Sequence, residues 1–177
     1  MKILRTAALL SVLALLVAPE IPRYAAERRV GLATAAFRDL VARSEDPQTA
    51  KNIVAIGDSA LAASGPLRGD PRPWILSGSS YLVTGQPDRA LEYYREALAT
   101  GERAEIDLNL GRAYSLLNRR ESAEAAFLRA GWVSPEILGA LPAELRGPLI
   151  AEVSRLGWEL HEGRLTAPPP LPEEERR

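Results

Sequence analysis

Apolar and polar residues alternate with helical spacing through most of this chain, and Pro, Gly and short polar stretches divide the pattern into segments. In the first segment, residues 23–43, apolar side chains recur mainly three or four positions apart. The next segment opens with Asp46-Pro47, a capping residue followed by Pro in the first turn, and ends near Gly65. The pattern predicts a pair of antiparallel helices over residues 23–65.

A turn-rich loop and four further helices follow this pair. Gly and Pro are dense enough between residues 65 and 73 to exclude regular helix. Helical spacing then returns in four segments with short polar connections: Pro73–Thr84, Pro87–Thr100, Arg103–Leu117 and Arg119–Gly131. Short connections between helices favour antiparallel neighbours. The pattern therefore predicts a stack of helix hairpins.

The last part of the chain predicts capping helices and a tail. Over residues 136–163 we expect a short helix broken by Pro142 and a longer one, Pro148–Glu162, that ends at Gly163. Residues 164–177 hold a run of prolines followed by three Glu and two Arg, a composition that favours polyproline conformation or disorder. We expect a disordered tail, either a spacer or a ligand for a groove that recognises polyproline helices.

The first 22 residues have the pattern of a targeting segment. Lys2 and Arg5 precede an uncharged run, Thr6–Ala18, and prolines end it. Leu16-Val17-Ala18 is a poor cleavage site, and Tyr24-Ala25-Ala26 is no better. A cleaved signal peptide and a retained inner-membrane anchor of residues 3–18 therefore both stay open. An ordinary buried helix is the third interpretation. Both main interpretations place the folded part in the periplasm or another extracytoplasmic compartment.

An internal repeat gives the strongest signal in the chain. Residues of the same type recur at a constant offset of 33 positions. The matched pairs are Gly78 with Gly111, Tyr81 with Tyr114, Ala90 with Ala123, Tyr94 with Phe127, and Ala97 with Ala130. A repeat of this length is typical of helical hairpins that stack into a solenoid.

The order of large and small residues resembles the tetratricopeptide repeat (TPR) motif. Trp74, Gly78, Tyr81, Gly85, Ala90, Tyr94 and Ala97 match it in one copy, and Leu110, Gly111, Tyr114, Ala123, Phe127, Ala130 and Pro135 in the next. The resemblance implies an all-α fold, a short right-handed TPR superhelix of antiparallel helix hairpins with C-terminal capping helices. Two repeats are expected over residues 71–135, with residues 23–65 as a degenerate hairpin.

Residue chemistry explains parts of the motif. Small residues at Gly78 and Ala90 let the two helices of a hairpin approach closely. Gly85 and its counterpart Asn118 suit a left-handed backbone at the turn between helices. We therefore predict positive φ at both turn positions.

Composition excludes several classes of function. The formal net charge of −1 gives no basic surface of the kind that nucleic-acid binding needs. The chain has no Cys, which excludes disulfides, thiolate nucleophiles and a lipidated Cys, and its only His, His161, is expected at a helix C-terminus. Neither a catalytic constellation nor a cofactor or metal motif is present. We predict that the chain is not an enzyme.

The resemblance implies a partner-binding groove lined by the first helix of each repeat. Its positions in this sequence are Arg72, Ile75, Ser79, Leu82 and Val83 in one copy, and Glu105, Leu108, Asn109, Arg112, Ser115 and Leu116 in the other. The Lys and Asn that a terminal-carboxylate clamp would need are absent at Ile75 and Ser79. The groove is expected to suit an amphipathic helix or an extended segment, unless the chain's own caps fill it.

These observations favour a non-catalytic adaptor of the bacterial cell envelope that binds a segment of a protein partner in the concave groove. The alternative is a structural subunit of a membrane or envelope assembly, held by broad helical faces. The expected partners are envelope or membrane proteins, with contact to the membrane itself through an uncleaved N-terminal segment.

Overall fold

A computed structural model describes residues 16–18, 20–42 and 47–176 of the chain. The regular structure within these ranges is helical: α1 (Glu20–Ala42), α2 (Pro47–Leu61), α3 (Arg72–Val83), α4 (Pro87–Thr100), α5 (Ala104–Leu116), α6 (Arg120–Val133) and α7 (Ala143–His161), with 3-10 turns at Pro135–Ala140 and Glu173–Glu175. The prediction of an all-α fold built from antiparallel helix hairpins is confirmed.

The central core lies between the hairpins α3–α4 and α5–α6. Buried side chains of both hairpins form one cluster, which continues under the 3-10 turn through Leu138 and Leu141. Gly78 and Gly111 set the approach within each hairpin. A Cβ at Gly78 would lie 2.6 Å from Cε1 of Tyr94, and one at Gly111 would collide with the ring of Phe127. Each of these two glycines therefore lies directly against an aromatic ring of the second helix of its hairpin.

The pair α1–α2 packs on α3 through small residues. Gly57 of α2 lies so close to α3 that an added Cβ would be 2.8 Å from Oγ of Ser80. The hydroxyl of Ser77 donates a hydrogen bond of 2.8 Å to the carbonyl oxygen of Gly57, and the hydroxyl of Tyr81 donates one of 3.1 Å to Asp58. This hairpin therefore extends the stack on the N-terminal side of the two repeats.

The turns within the two repeats have the backbone conformation that their residues predict. Gly85 has a φ of 75° and Asn118 a φ of 57°. Both values fall in the left-handed region, which Gly and Asn adopt most readily. The prediction of positive φ at these turns is confirmed.

Replacing Asn118 with Ala should lower the free energy of unfolding by about 1 kcal/mol, because Ala lacks the local side-chain hydrogen bonding that helps Asn adopt positive φ. Asn118→Gly should be neutral or slightly stabilising. Urea unfolding followed by far-UV circular dichroism measures both variants. Equal stability of the Ala and Gly variants would contradict the argument.

The C-terminal capping region differs from the expectation in its boundaries. The short predicted helix is the 3-10 turn Pro135–Ala140, and α7 begins at Ala143, so that Pro148 lies inside it. Pro148 is tolerated near the start of α7 because the carbonyl it leaves unpaired, that of Glu144, belongs to an exposed residue. Leu156 is buried, whereas Trp158 is 59% exposed.

The proposed signal or anchor lies largely outside the described residues, and α1 begins at Glu20, with Pro22 accommodated in its first turn. No described helix has both the length and the apolar character needed to cross a membrane.

At the other end, the structure differs from the expected disorder. Residues between Pro169 and Glu175 bond to the repeats, and Pro169 and Pro172 are buried.

Candidate functional site

Three of the predicted groove residues lie beneath the surface. Ile75 is 7% exposed, Leu108 4% and Asn109 7%. Ile75 and Leu108 belong to the central core cluster, so their side chains hold the helices together. Burial of these two residues at the predicted groove makes the surface offered to a partner smaller than the motif positions imply.

The two groove arginines are bound to other parts of the chain. Arg72 donates from Nε to Oδ2 of Asp70 at 2.9 Å, and this hydrogen bond is the main reason that the pKa of Asp70 lies below its usual value. Arg112 donates to Oδ1 of Asn109 at 3.1 Å and to the carbonyl oxygen of Ala140 at 3.2 Å. Arg112 therefore braces the end of the 3-10 turn against α5.

The remaining groove positions present a mixed surface. Ser79 is half-buried and within 3.2 Å of the hydroxyl of Tyr94. Val83 is 48% and Leu116 57% exposed, at the last residues of α3 and α5. We call Leu82, Val83, Glu105, Ser115 and Leu116 the groove surface. Because the first helices of the two repeats contact one another, it is a continuous candidate site with two exposed apolar side chains.

A second set of polar residues, which the sequence reasoning missed, holds the C-terminal tail. Arg95 of α4, Tyr114 of α5, and Ser122 and Arg129 of α6 all bond to residues between Pro169 and Glu175. We call these four residues the tail-binding surface. The only signal for it in the sequence is the run of three glutamates, whose partners are 52 to 80 positions away.

Asp107 is a buried carboxylate that the sequence reasoning also missed. It is fully buried on α5, and neither of its oxygens accepts a hydrogen bond from a donor among the described residues. Burial, with a smaller contribution from the Glu102 carboxylate, raises the pKa of Asp107 to about 7. Asp107 occupies the position equivalent to Trp74 in the first repeat, so the departure from an aromatic residue was visible but its burial was not.

The family comparison bears on both repeats. Residues 71–99 and 104–130 match the family model described as Tetratricopeptide repeat. Both repeats are similar to TPRs. These ranges cover α3 with α4 and α5 with most of α6. No curated protein and no solved structure matches the chain at a significant level.

The TPR assignment defines a general class of function. TPRs generally mediate binding between proteins, and the family is typically a non-catalytic interaction domain. In a TPR stack the first helices line the concave side, and the residues of the groove surface belong to the first helices α3 and α5. The second helices, α4 and α6, form the opposite side, across which the tail runs.

Proposed function

We propose that this chain is a non-catalytic adaptor of the bacterial cell envelope that holds a segment of another protein on the groove surface. The observation that carries the proposal is the pair of exposed apolar residues, Val83 and Leu116, at equivalent positions of two TPRs. Exposed apolar side chains flanked by polar ones are typical of sites that bind a segment with a few apolar anchors. Because Arg72 and Arg112 are engaged within the chain, the apolar anchors would supply most of the affinity.

The substitution of both apolar anchors tests the groove surface. Val83→Glu/Leu116→Glu should weaken partner binding by roughly 100-fold, since each buried apolar side chain contributes on the order of 1.5 kcal/mol or more. The matched control is Ile150→Glu/Leu160→Glu on α7, two apolar residues of similar exposure outside the groove surface. Affinity capture from the membrane and periplasmic fractions of the native cell, followed by binding measurements with the captured partner, gives the readout.

A photo-crosslinking residue shows which face the partner touches. With the crosslinker at position 116, the partner should be labelled, and with the crosslinker at position 160 it should not. If both positions label the same partner, or if the Val83→Glu/Leu116→Glu variant keeps its affinity while remaining helical, the groove surface is not the binding site.

A structural subunit of an envelope assembly is the second candidate. The exposed apolar residues of α1 favour it: Ile21 is 61%, Tyr24 68% and Leu32 63% exposed. An assembly held through this face would be labelled from position 32, and Leu32→Glu would release the chain from it while the groove variant would not.

The envelope location rests on the N-terminal pattern of two basic residues followed by an uncharged run. Fractionation of a C-terminally tagged chain, with mass spectrometry of its N-terminus, tests this location. A full-length chain in the membrane fraction would support an anchor, and a chain starting near residue 20 in the periplasm would support cleavage. Recovery of the full-length chain in the cytoplasm would contradict export.

A further inference from the structure

The tail-binding surface contains a built receptor for one carboxylate. The side chain of Glu175 is only 2% exposed, and it lies between Arg95 and Tyr114. Nε of Arg95 donates to both carboxylate oxygens at 3.0 Å, Nη2 lies 3.0 Å from Oε1, and the hydroxyl of Tyr114 donates to Oε1. Guanidinium and hydroxyl donors together satisfy a buried carboxylate, and such charge-assisted bonds are the stronger kind.

Besides Glu175, the tail is held through a backbone carbonyl, the side chain of Glu174 and two prolines. Arg129 donates from Nη1 to the carbonyl oxygen of Pro169 at 2.8 Å, and Ser122 donates to the carboxylate of Glu174 at 3.0 Å. Pro169 and Pro172 are buried between these polar contacts. A proline-rich segment is already extended before it binds, which lowers the entropy lost on docking.

The contact between the tail and the repeats contains few large apolar side chains, as is typical of interfaces that form reversibly. Leu171 is the only large apolar side chain between Pro169 and Glu175, and it is half-buried. The other anchors are the buried Pro169 and Pro172 and charged or polar groups of helices whose core forms without the tail. A polar contact of this kind is typical of surfaces that open and close.

We propose that the tail-binding surface is a second binding site of this chain, specific for an extended proline-flanked acidic segment, and that the chain's own tail occupies it in cis. A protein partner with such a segment would bind by displacing the tail. Three of its four residues lie on the second helices and none belongs to the groove surface, so the proposal is independent of what the groove surface binds.

The short linker makes the closed state the resting state. Only residues 162–168 separate the end of α7 from the docked tail, whose first buried residue is Pro169. A ligand on a short linker acts at a millimolar effective concentration, so a site with a Kd of about 20 μM in trans would be about 98% filled in cis. A competing segment must therefore be present in excess or bind better than the tail.

The test uses full-length proteins and a fluorescein-labelled peptide of residues 164–177, with binding followed by fluorescence anisotropy at low salt. The chain variant Glu174→Ala/Glu175→Ala removes two contacts of the cis tail and should bind the peptide. The wild-type chain should bind it at least about tenfold more weakly, because its site is filled. A peptide carrying Glu175→Gln should lose roughly tenfold or more in affinity, because Arg95 then has no carboxylate partner.

Two further substitutions, each added to the Glu174→Ala/Glu175→Ala chain, locate the site. Arg95→Ala should abolish peptide binding. Arg120 is an exposed arginine on α6 that pairs with Glu124, and Arg120→Ala should leave peptide binding unchanged. Circular dichroism shows that each variant is folded.

Three results would overturn the proposal: no peptide binding to the folded release variant, equal binding to wild type and release variant, or binding that survives Arg95→Ala. Sedimentation adds a fourth, since a wild-type dimer that dissociates when Glu174 and Glu175 are replaced would mean that the tail docks on a second copy.

Discussion

Asp107→Asn is expected to raise the free energy of unfolding by about 3 kcal/mol at pH 8, although it removes only a charge. The carboxylate is fully buried and accepts no hydrogen bond from a donor among the described residues. Ionising it there is unfavourable, and burial accordingly raises its pKa to about 7. Asn has nearly the same shape and stays neutral, so the variant avoids this penalty.

The sign of the pH dependence follows from the two pKa values. The unfolded chain loses the Asp107 proton near pH 3.8, whereas the folded chain retains it up to about pH 7. Between these values the folded state binds more protons, so the penalty grows as the pH rises and is constant above about pH 7. The advantage of Asp107→Asn at pH 5 should therefore be less than half of its value at pH 8.

Urea unfolding followed by circular dichroism at pH 5, 6, 7 and 8 measures this difference. Comparing the variant with wild type at each pH cancels the contribution of the other titrating groups. Asp88→Asn is the matched control: Asp88 is 73% exposed and lies 3.9 Å from Arg119, so its substitution should change the stability by less than about 0.5 kcal/mol at any pH. An advantage of Asp107→Asn that does not vary with pH would show that Asp107 is ionised at both ends of the range.

The sequence predicts the repeats well because their signals are local or periodic. The offset of 33 positions, the small residues at Gly78 and Gly111, and the turn residues Gly85 and Asn118 each specify a feature through the backbone or through a contact within one hairpin. Such features need no knowledge of distant parts of the chain. They are confirmed in the structure.

The groove and the tail depend on contacts that the pattern does not encode. Arg112 donates a hydrogen bond to the carbonyl oxygen of Ala140, 28 positions away, and Arg95 donates to Glu175, 80 positions away. Leu108 matches a groove position but packs into the core. A Pro- and Glu-rich tail with little apolar content resembles a disordered segment until its receptor is known. Non-local pairing therefore accounts for most of the difference between prediction and structure.

The central hairpin contact gives the second large effect. Phe127→Ala should lower the free energy of unfolding by about 3 to 5 kcal/mol, because Phe127 is 3% exposed and its ring fills the space beside Gly111. Gly111→Ala should lower it by about 1 to 3 kcal/mol, because the added methyl group meets that ring in a closely packed core. Gly157→Ala is the matched control on α7, where an added Cβ meets nothing within 4 Å. It should stabilise the chain by up to about 1 kcal/mol through helix propensity alone.

Combining the two core substitutions separates the effect of steric overlap at Gly111→Ala from the effect of the cavity that Phe127→Ala leaves. In the Phe127→Ala chain the methyl group that Gly111→Ala adds enters the vacated space. The second substitution should therefore become neutral or stabilising, with a coupling free energy of about 2 kcal/mol between the two positions. Urea unfolding of the four chains gives this value. If Gly111→Ala stabilises the wild-type chain as Gly157→Ala does, the glycine is not required by Phe127. The spacing of the hairpin must then be set by the buried alanines, Ala123 and Ala130, which face α5 from α6.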